Sequence, residues 1–92
     1  MSIQVYVIMG HTGEYADRSS WTVGAYQDKS RAEQHAKLAN DEAHRIQGNL
    51  SSRYVTPTET NPYDPEMSMD YTGTHYHVIA VDLLDAIPGI DG

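Results

Sequence analysis

One segment of the chain has the spacing of a helix, and it constrains the rest of the fold. Small apolar residues recur every three or four positions over residues 32–50, as on one face of a helix. They are Ala32, Ala36, Ala39, Ala43, Ile46 and Leu50. Ser30 followed by Glu33 is typical of a capping box, and Gly48 of a left-handed cap at the helix end. Because the row is mostly alanine, we expect the helix to lie close against a sheet.

Three other segments alternate as β-strands do, over residues 3–9, 21–27 and 74–84. The order β-β-α-β predicts an α+β fold, a three-stranded antiparallel sheet with one helix packed on one face. We expect the helix to cover the face formed by Val5, Val7, Trp21, Val23, Ile79 and Val81. The other face is then covered by the long loop or left as a partner surface, and it consists of Tyr6, Ile8, Thr22, Tyr26, Tyr76 and Val78. The pattern alone also allows the two faces to be exchanged.

The chain has 92 residues and no cysteine, which predicts a single domain over residues 1–92 without disulfides or a Cys zinc site. Residues 51–73 are expected to form a long ordered loop laid against the body, and residues 85–92 a flexible tail. No apolar run is long enough to cross a membrane, and the first ten residues lack the features of a signal peptide. We therefore expect a cytoplasmic protein.

The net charge of −7 belongs to the C-terminal part of the chain. Residues 54–92 contain seven acidic residues and no Lys or Arg, whereas residues 1–53 are neutral. Autonomous binding to duplex DNA normally needs a basic surface, so this balance argues against it. Two interpretations stand: the acidity keeps a small protein soluble, or it imitates DNA toward a basic partner, as an acidic DNA mimic or anti-restriction protein would.

Five histidines raise the possibility of a metal site. His75 and His77 lie two apart on a strand, so both point to one side and suit chelation of one ion in a small metal hydrolase. The candidates for a third ligand are His11, Glu14, Asp17 and Asp82. No nucleophile motif is present, and one sheet with one helix has little depth for a pocket. We therefore expect polar strand-end histidines, with no metal, no cofactor and no catalysis.

Candidate recognition groups concentrate in the loop after the first strand, residues 11–20. Arg18 suits a bidentate contact with a carboxylate or phosphate, or a local ion pair with a neighbouring acid. Basic residues on either side of the helix suit limited phosphate contacts with RNA, and tyrosines are favoured at interfaces. The predicted partner-binding residues are Tyr15, Asp17, Arg18, Tyr26, Lys29, Arg31, Arg53, Tyr71 and Tyr76.

Residues 6–26 read YVIMGHTGEYADRSSWTVGAY and cover about a quarter of the chain. With the capped helix and last strand that follow, they resemble a group of small phage-encoded proteins that share a G-x-T-G-E-Y-x-D-R loop and a W-x-V-x-x-Y strand. In length, acidity and lack of cysteine the whole chain is also similar to the phage anti-CRISPR proteins directed at type I-F surveillance complexes.

The resemblance implies an inhibitor that acts by contact. Such a protein binds the host's crRNA-guided Cas complex. It contacts the backbone and PAM-reading subunits, and the crRNA is a further candidate contact. It stops target DNA from hybridising, and it works in the bacterial cytoplasm without a cofactor or a membrane. Contact residues are not carried over from the family, so the residues named above are chosen from side-chain chemistry alone.

Overall fold

The structure is a computed structural model that describes residues 3–13, 18–50, 57–70, 72–84, 86–87 and 89. Within this part of the chain the elements are β1 (Ile3–Thr12), β2 (Ser19–Tyr26), α1 (Lys29–Gly48) and β3 (Thr74–Leu83). The strands form one antiparallel sheet in the order β2-β1-β3, and α1 packs on one face of it. The predicted fold, an antiparallel three-stranded sheet with one helix, is confirmed.

β1 is the central strand of the sheet, and its two pairings differ. The register between β1 and β3 is unbroken along both strands. The pairing with β2 is interrupted, since Ile8 lies opposite Gly24 whereas Met9 lies opposite Thr22. Val23 is therefore an extra residue in β2. A bulge of this kind changes which face of the sheet the neighbouring side chains occupy.

The two ends of α1 differ from the sequence prediction. Asp28, rather than Ser30, caps the helix, because its Oδ1 accepts hydrogen bonds from the backbone amides of Ser30 at 2.9 Å and Arg31 at 3.4 Å. A carboxylate satisfies the free amides of a helix start and also suits its positive dipole end. Gly48 is the last helical residue, and Asn49 follows in a right-handed conformation. The left-handed cap predicted at Gly48 is therefore wrong.

α1 covers the sheet face that was expected to remain without a helix. Its buried alanines pack on Ile8 and Tyr76. The half-buried residues around them on the sheet are Tyr6, Trp21, Val23, Tyr26 and Val78. The expected contact of the helix with Trp21 and Val23 is confirmed. The expectation was wrong for four residues on the opposite face, Val5, Val7, Ile79 and Val81. The small alanines leave space that the larger rings of this face fill, and the bulge turns β2 toward the same side.

Residues 57–70 form the second part of the layer that contains α1. Three of their side chains pack against the core beside the helix: Tyr63, Met67 and Met69. Asn61 is fully buried, and its Nδ2 donates to the carbonyl of Ala39 at 3.1 Å, which ties the segment to the helix. The expected loop laid against the body is confirmed for these residues. The rest of the predicted loop lies largely outside the described residues, as does most of the predicted tail.

The carboxylate of Asp64 joins this loop to two strands. Asp64 is 3% exposed, and its Oδ2 accepts hydrogen bonds from Trp21 Nε1 at 2.8 Å and from the Tyr76 hydroxyl at 2.7 Å. Gly10 makes room for the indole, since a Cβ there would lie 2.6 Å from the Trp21 ring. Burial, followed by the contact with Asp64, raises the pKa of Tyr76, so its hydroxyl stays protonated and continues to donate.

Replacing Asp64 with alanine is expected to lower the free energy of unfolding by about 3 kcal/mol, because Trp21 and Tyr76 would keep buried donors without an acceptor. Asp64→Asn retains an acceptor oxygen and should cost only about 1 kcal/mol. Glu66→Ala is the matched control, since Glu66 is an exposed carboxylate in the same segment. Urea unfolding followed by circular dichroism measures all three. Equal stability of D64A and E66A would contradict the role given to Asp64.

Candidate binding surface

The sheet face opposite α1 has no covering layer among the described residues. The helix and the described loop residues pack on the other face. We call this surface the open face. It consists of Ile3, Val5, Val7, Met9 and His11 on β1 and of His75, His77, Ile79, Val81 and Leu83 on β3. Four of its large apolar side chains are between 40% and 53% exposed: Ile3, Ile79, Val81 and Leu83.

One end of the sheet is a two-stranded ribbon. The pairing of β2 with β1 ends at Tyr6, which lies opposite Tyr26, just before α1 starts. The ribbon beyond that point pairs residues 3–5 of β1 with residues 81–83 of β3. Its side chains are largely exposed on both faces, and the side chain of Gln4 donates to Asp82 at 3.3 Å on the face away from the apolar residues. Isolated ribbons of two strands are marginally stable in water, so packing against another surface would stabilise this one.

Three histidines meet at the other end of the open face. The ring centroid of His11 lies 5.7 Å from that of His75 and 5.4 Å from that of His77. Burial lowers the pKa of His11, and repulsion from Arg18 and from the two other histidines lowers it further. Among the described residues, no group of three or more His, Cys, Asp or Glu side chains is placed to hold a metal ion. We therefore do not propose a metal centre here.

The described members of the predicted partner-binding set fall in three separate places. Tyr26, Lys29 and Arg31 meet where β2 ends and α1 begins. Arg18 is exposed and lies at the opposite end of β2, near the histidines of the open face. Tyr76 is 5% exposed, so a partner contact would require it to leave the core. The other four lie outside the described residues: Tyr15, Asp17, Arg53 and Tyr71.

Tyr26 and Arg31 line an open groove of about 370 Å³ on the helix side of the molecule, together with Leu38 and Tyr63. His35 holds the Tyr26 side chain and the Tyr63 backbone at this groove, because its Nδ1 lies 2.9 Å from the Tyr26 hydroxyl and its Nε2 lies 2.7 Å from the Tyr63 carbonyl. A carbonyl oxygen only accepts hydrogen bonds, so Nε2 of His35 carries the proton and donates a hydrogen bond to the Tyr63 carbonyl. The groove places one guanidinium beside two aromatic rings, and it is therefore a second candidate recognition surface.

The acidic residues after residue 53 that lie in the described ranges do not form one exposed row. Asp64 lies in the core, and Glu59 accepts a hydrogen bond from Arg45 at 3.2 Å. Asp70 accepts bonds from the amide and hydroxyl of Thr72, and the hydroxyl bond is the first cause of the lowered pKa of Asp70. These carboxylates serve contacts within the chain. The described residues therefore give no observation that favours DNA mimicry.

Similarity to known proteins does not name a partner for the open face. The chain has no match among protein-family models, curated proteins or solved structures. The surface is therefore interpreted from its own residues.

Within the described ranges, no helix combines the length and the apolar character needed to span a membrane.

The lowered pKa of His11 predicts that acid weakens the fold. The unfolded chain binds a proton on this histidine near pH 6.5, whereas the folded protein binds it only at lower pH. The stabilising contribution is thus fully present above that pH and is lost as the pH falls from about 6.5 toward the folded pKa. His11→Gln should reduce the loss of unfolding free energy between about pH 7.5 and pH 5.

His44→Gln is the matched control, because His44 is an exposed histidine on α1 that makes no ring contact with His11. Urea unfolding at the two pH values measures the difference for each variant. The same pH dependence in wild type and H11Q would contradict the prediction.

Proposed function

We propose that this protein acts by binding another macromolecule through the open face, and that its partner is a crRNA-guided type I-F CRISPR surveillance complex. Binding keeps target DNA from hybridising with the guide. The observation that carries the proposal is the exposed apolar row along β1 and β3, where Ile3, Ile79, Val81 and Leu83 are at least 40% exposed. Contiguous exposed apolar patches mark interaction sites.

The composition of the open face supports a protein partner. Its aliphatic row runs from the two-stranded ribbon toward the histidines and Arg18, which form a polar border at that end. Apolar residues bordered by polar groups are typical of a protein–protein interface. A contact of this kind needs neither a cofactor nor a chemical step.

The choice of partner rests on the likeness of the whole chain, in length, acidity and lack of cysteine, to the anti-CRISPR proteins directed at type I-F complexes. Residues 6–26 resemble a broader group of small phage proteins. Several residues of that stretch have structural roles in this fold. Thr12 Oγ1 donates to the carbonyl of Gly73 at 2.6 Å and accepts from the amide of Asp70 at 3.0 Å, while Trp21 donates to Asp64. The motif therefore supports a fold in common with those phage proteins. The proposed partner works in the host bacterial cytoplasm.

The proposal is tested with purified type I-F surveillance complex and a labelled target duplex. The complex alone should bind the duplex, and addition of this protein should abolish binding while the protein co-elutes with the complex. Binding measured by gel shift and by size-exclusion chromatography gives both readouts. Undiminished DNA binding together with separate elution would overturn the choice of partner.

A matched pair of variants tests the choice of surface. Val81→Lys places a charge in the exposed apolar row of the open face, whereas Leu38→Lys places the same charge on an exposed leucine beside the helix-side groove. V81K should weaken binding to the complex at least tenfold, about 1.4 kcal/mol, and L38K should leave binding unchanged. The reverse result would assign the interface to the groove of Tyr26 and Arg31 instead.

A further inference from the structure

The outer edge of β3 has hydrogen-bonding groups that point away from the sheet. Asn40 shows their direction, because its Nδ2 donates to the carbonyl of Tyr76 at 3.0 Å and its Oδ1 accepts from the amide of Tyr76 at 2.7 Å. Both backbone groups of Tyr76 therefore face outward, away from β1. The side chain of Asn40 occupies the place that a further strand would take at this position.

The same direction follows for every second residue of β3. In an antiparallel pair the backbone groups alternate between the partner strand and the outside, and the register with β1 is unbroken. Val78, Ala80 and Asp82 therefore also point their N–H and C=O groups outward. Of the described residues, none forms a hydrogen bond with these backbone groups.

This edge has few of the features that usually prevent strand pairing. Edge strands are commonly protected by a bulge, a proline or charged side chains, lysine above all, and Asp82 is the one charged residue among the outward positions 78, 80 and 82 of β3. β2, at the other edge of the sheet, has the bulge at Val23. β3 is ten residues long and contains no bulge against β1, no proline and no lysine. Asn40 protects only the position of Tyr76, which leaves residues 78–82 open.

We propose that two copies of this chain join through β3, antiparallel and around a two-fold axis at Ala80. Val78 of each copy then lies opposite Asp82 of the other, and the two Ala80 residues lie opposite each other. All three outward positions of each strand are paired, and the result is one six-stranded sheet. Because opposite residues share a face, both helices lie on one side and the two open faces join on the other.

Charge and the Asn40 contact select this register over its neighbours. An axis at Ile79 would bring Asp82 opposite Tyr76, where Asn40 already occupies the edge. An axis at Val81 would offset the two Asp82 residues by two positions, about 7 Å, well within the range of charge repulsion. The axis at Ala80 offsets them by four positions, about 13 Å, which exceeds the Debye length of about 10 Å at 0.1 M salt.

The pairing also joins apolar side chains on the open face. Ile79 of each copy meets Val81 of the other, and both are exposed in the single chain. The contact is short, and it buries less than a standard interface of roughly 800 Å² per partner. We therefore expect a dimer in equilibrium with the monomer, whose fraction rises with protein concentration. The dimer does not depend on the identity of the partner proposed above.

Sedimentation velocity over a concentration series tests the dimer, with two proline variants. Ala80→Pro removes an outward N–H without removing a hydrogen bond to β1, and should weaken association at least tenfold. Ala25→Pro is the matched control, because Ala25 is an exposed alanine that lies opposite Val7 with its backbone groups outward on the edge of β2. It should leave association unchanged. A wild type that stays monomeric up to about 1 mM, or an A80P variant that dimerises normally, would overturn the proposal.

Amide hydrogen exchange of the unmodified protein gives a second test that does not depend on a variant folding. Raising the concentration should slow exchange at Val78, Ala80 and Asp82, whose amides would become paired. The amides of Ile79 and Val81 are already bonded to β1 and should change little. Concentration-independent exchange at the three outward amides would contradict the pairing.

Discussion

A single layer of chain covers this sheet, and most properties of the molecule follow from that constraint. The alanine row of α1 lets the helix lie close to Ile8 and Tyr76, and residues 57–70 complete the layer beside it. Asp64 holds the loop part of the layer to two strands, since one carboxylate oxygen accepts from both Trp21 and Tyr76. A chain of 92 residues with one helix has no second layer in its described part, so the other face of the sheet stays exposed.

The sequence was sufficient to predict the order of elements and the fold class, because the periodicity of each segment differs clearly from that of its neighbours. It was not sufficient to assign the sheet faces. Both faces of β1 carry large apolar side chains, so alternation alone does not say which is buried. The bulge at Val23 adds to the difficulty, since it turns Trp21 toward the face of Ile8 and is invisible in the sequence pattern.

The candidate site was only partly predictable for the same reason. Tyr76 was expected on a partner surface, but its ring fills the space above the alanines and its hydroxyl bonds Asp64. Asp64 itself was one of the acids in the DNA-mimic interpretation. Asp64 could have been found only through its role as an acceptor, because buried Trp and Tyr side chains need one. That argument requires knowing that Trp21 and Tyr76 lie on the buried face of the sheet. Tyr26 and Arg31, both in the predicted partner-binding set, line one groove, a proximity that the sequence pattern did not predict.

The most direct test of the account is a methyl NMR footprint of the protein, with its Ile, Leu and Val methyl groups labelled, on binding to the purified surveillance complex. The account predicts that the signals of Val5, Val7, Ile79 and Val81 broaden or shift on binding, while those of Leu38 on α1 keep their positions. Changes confined to Leu38 and its neighbours on the helix side, with the open-face methyl groups unaffected, would contradict the central claim.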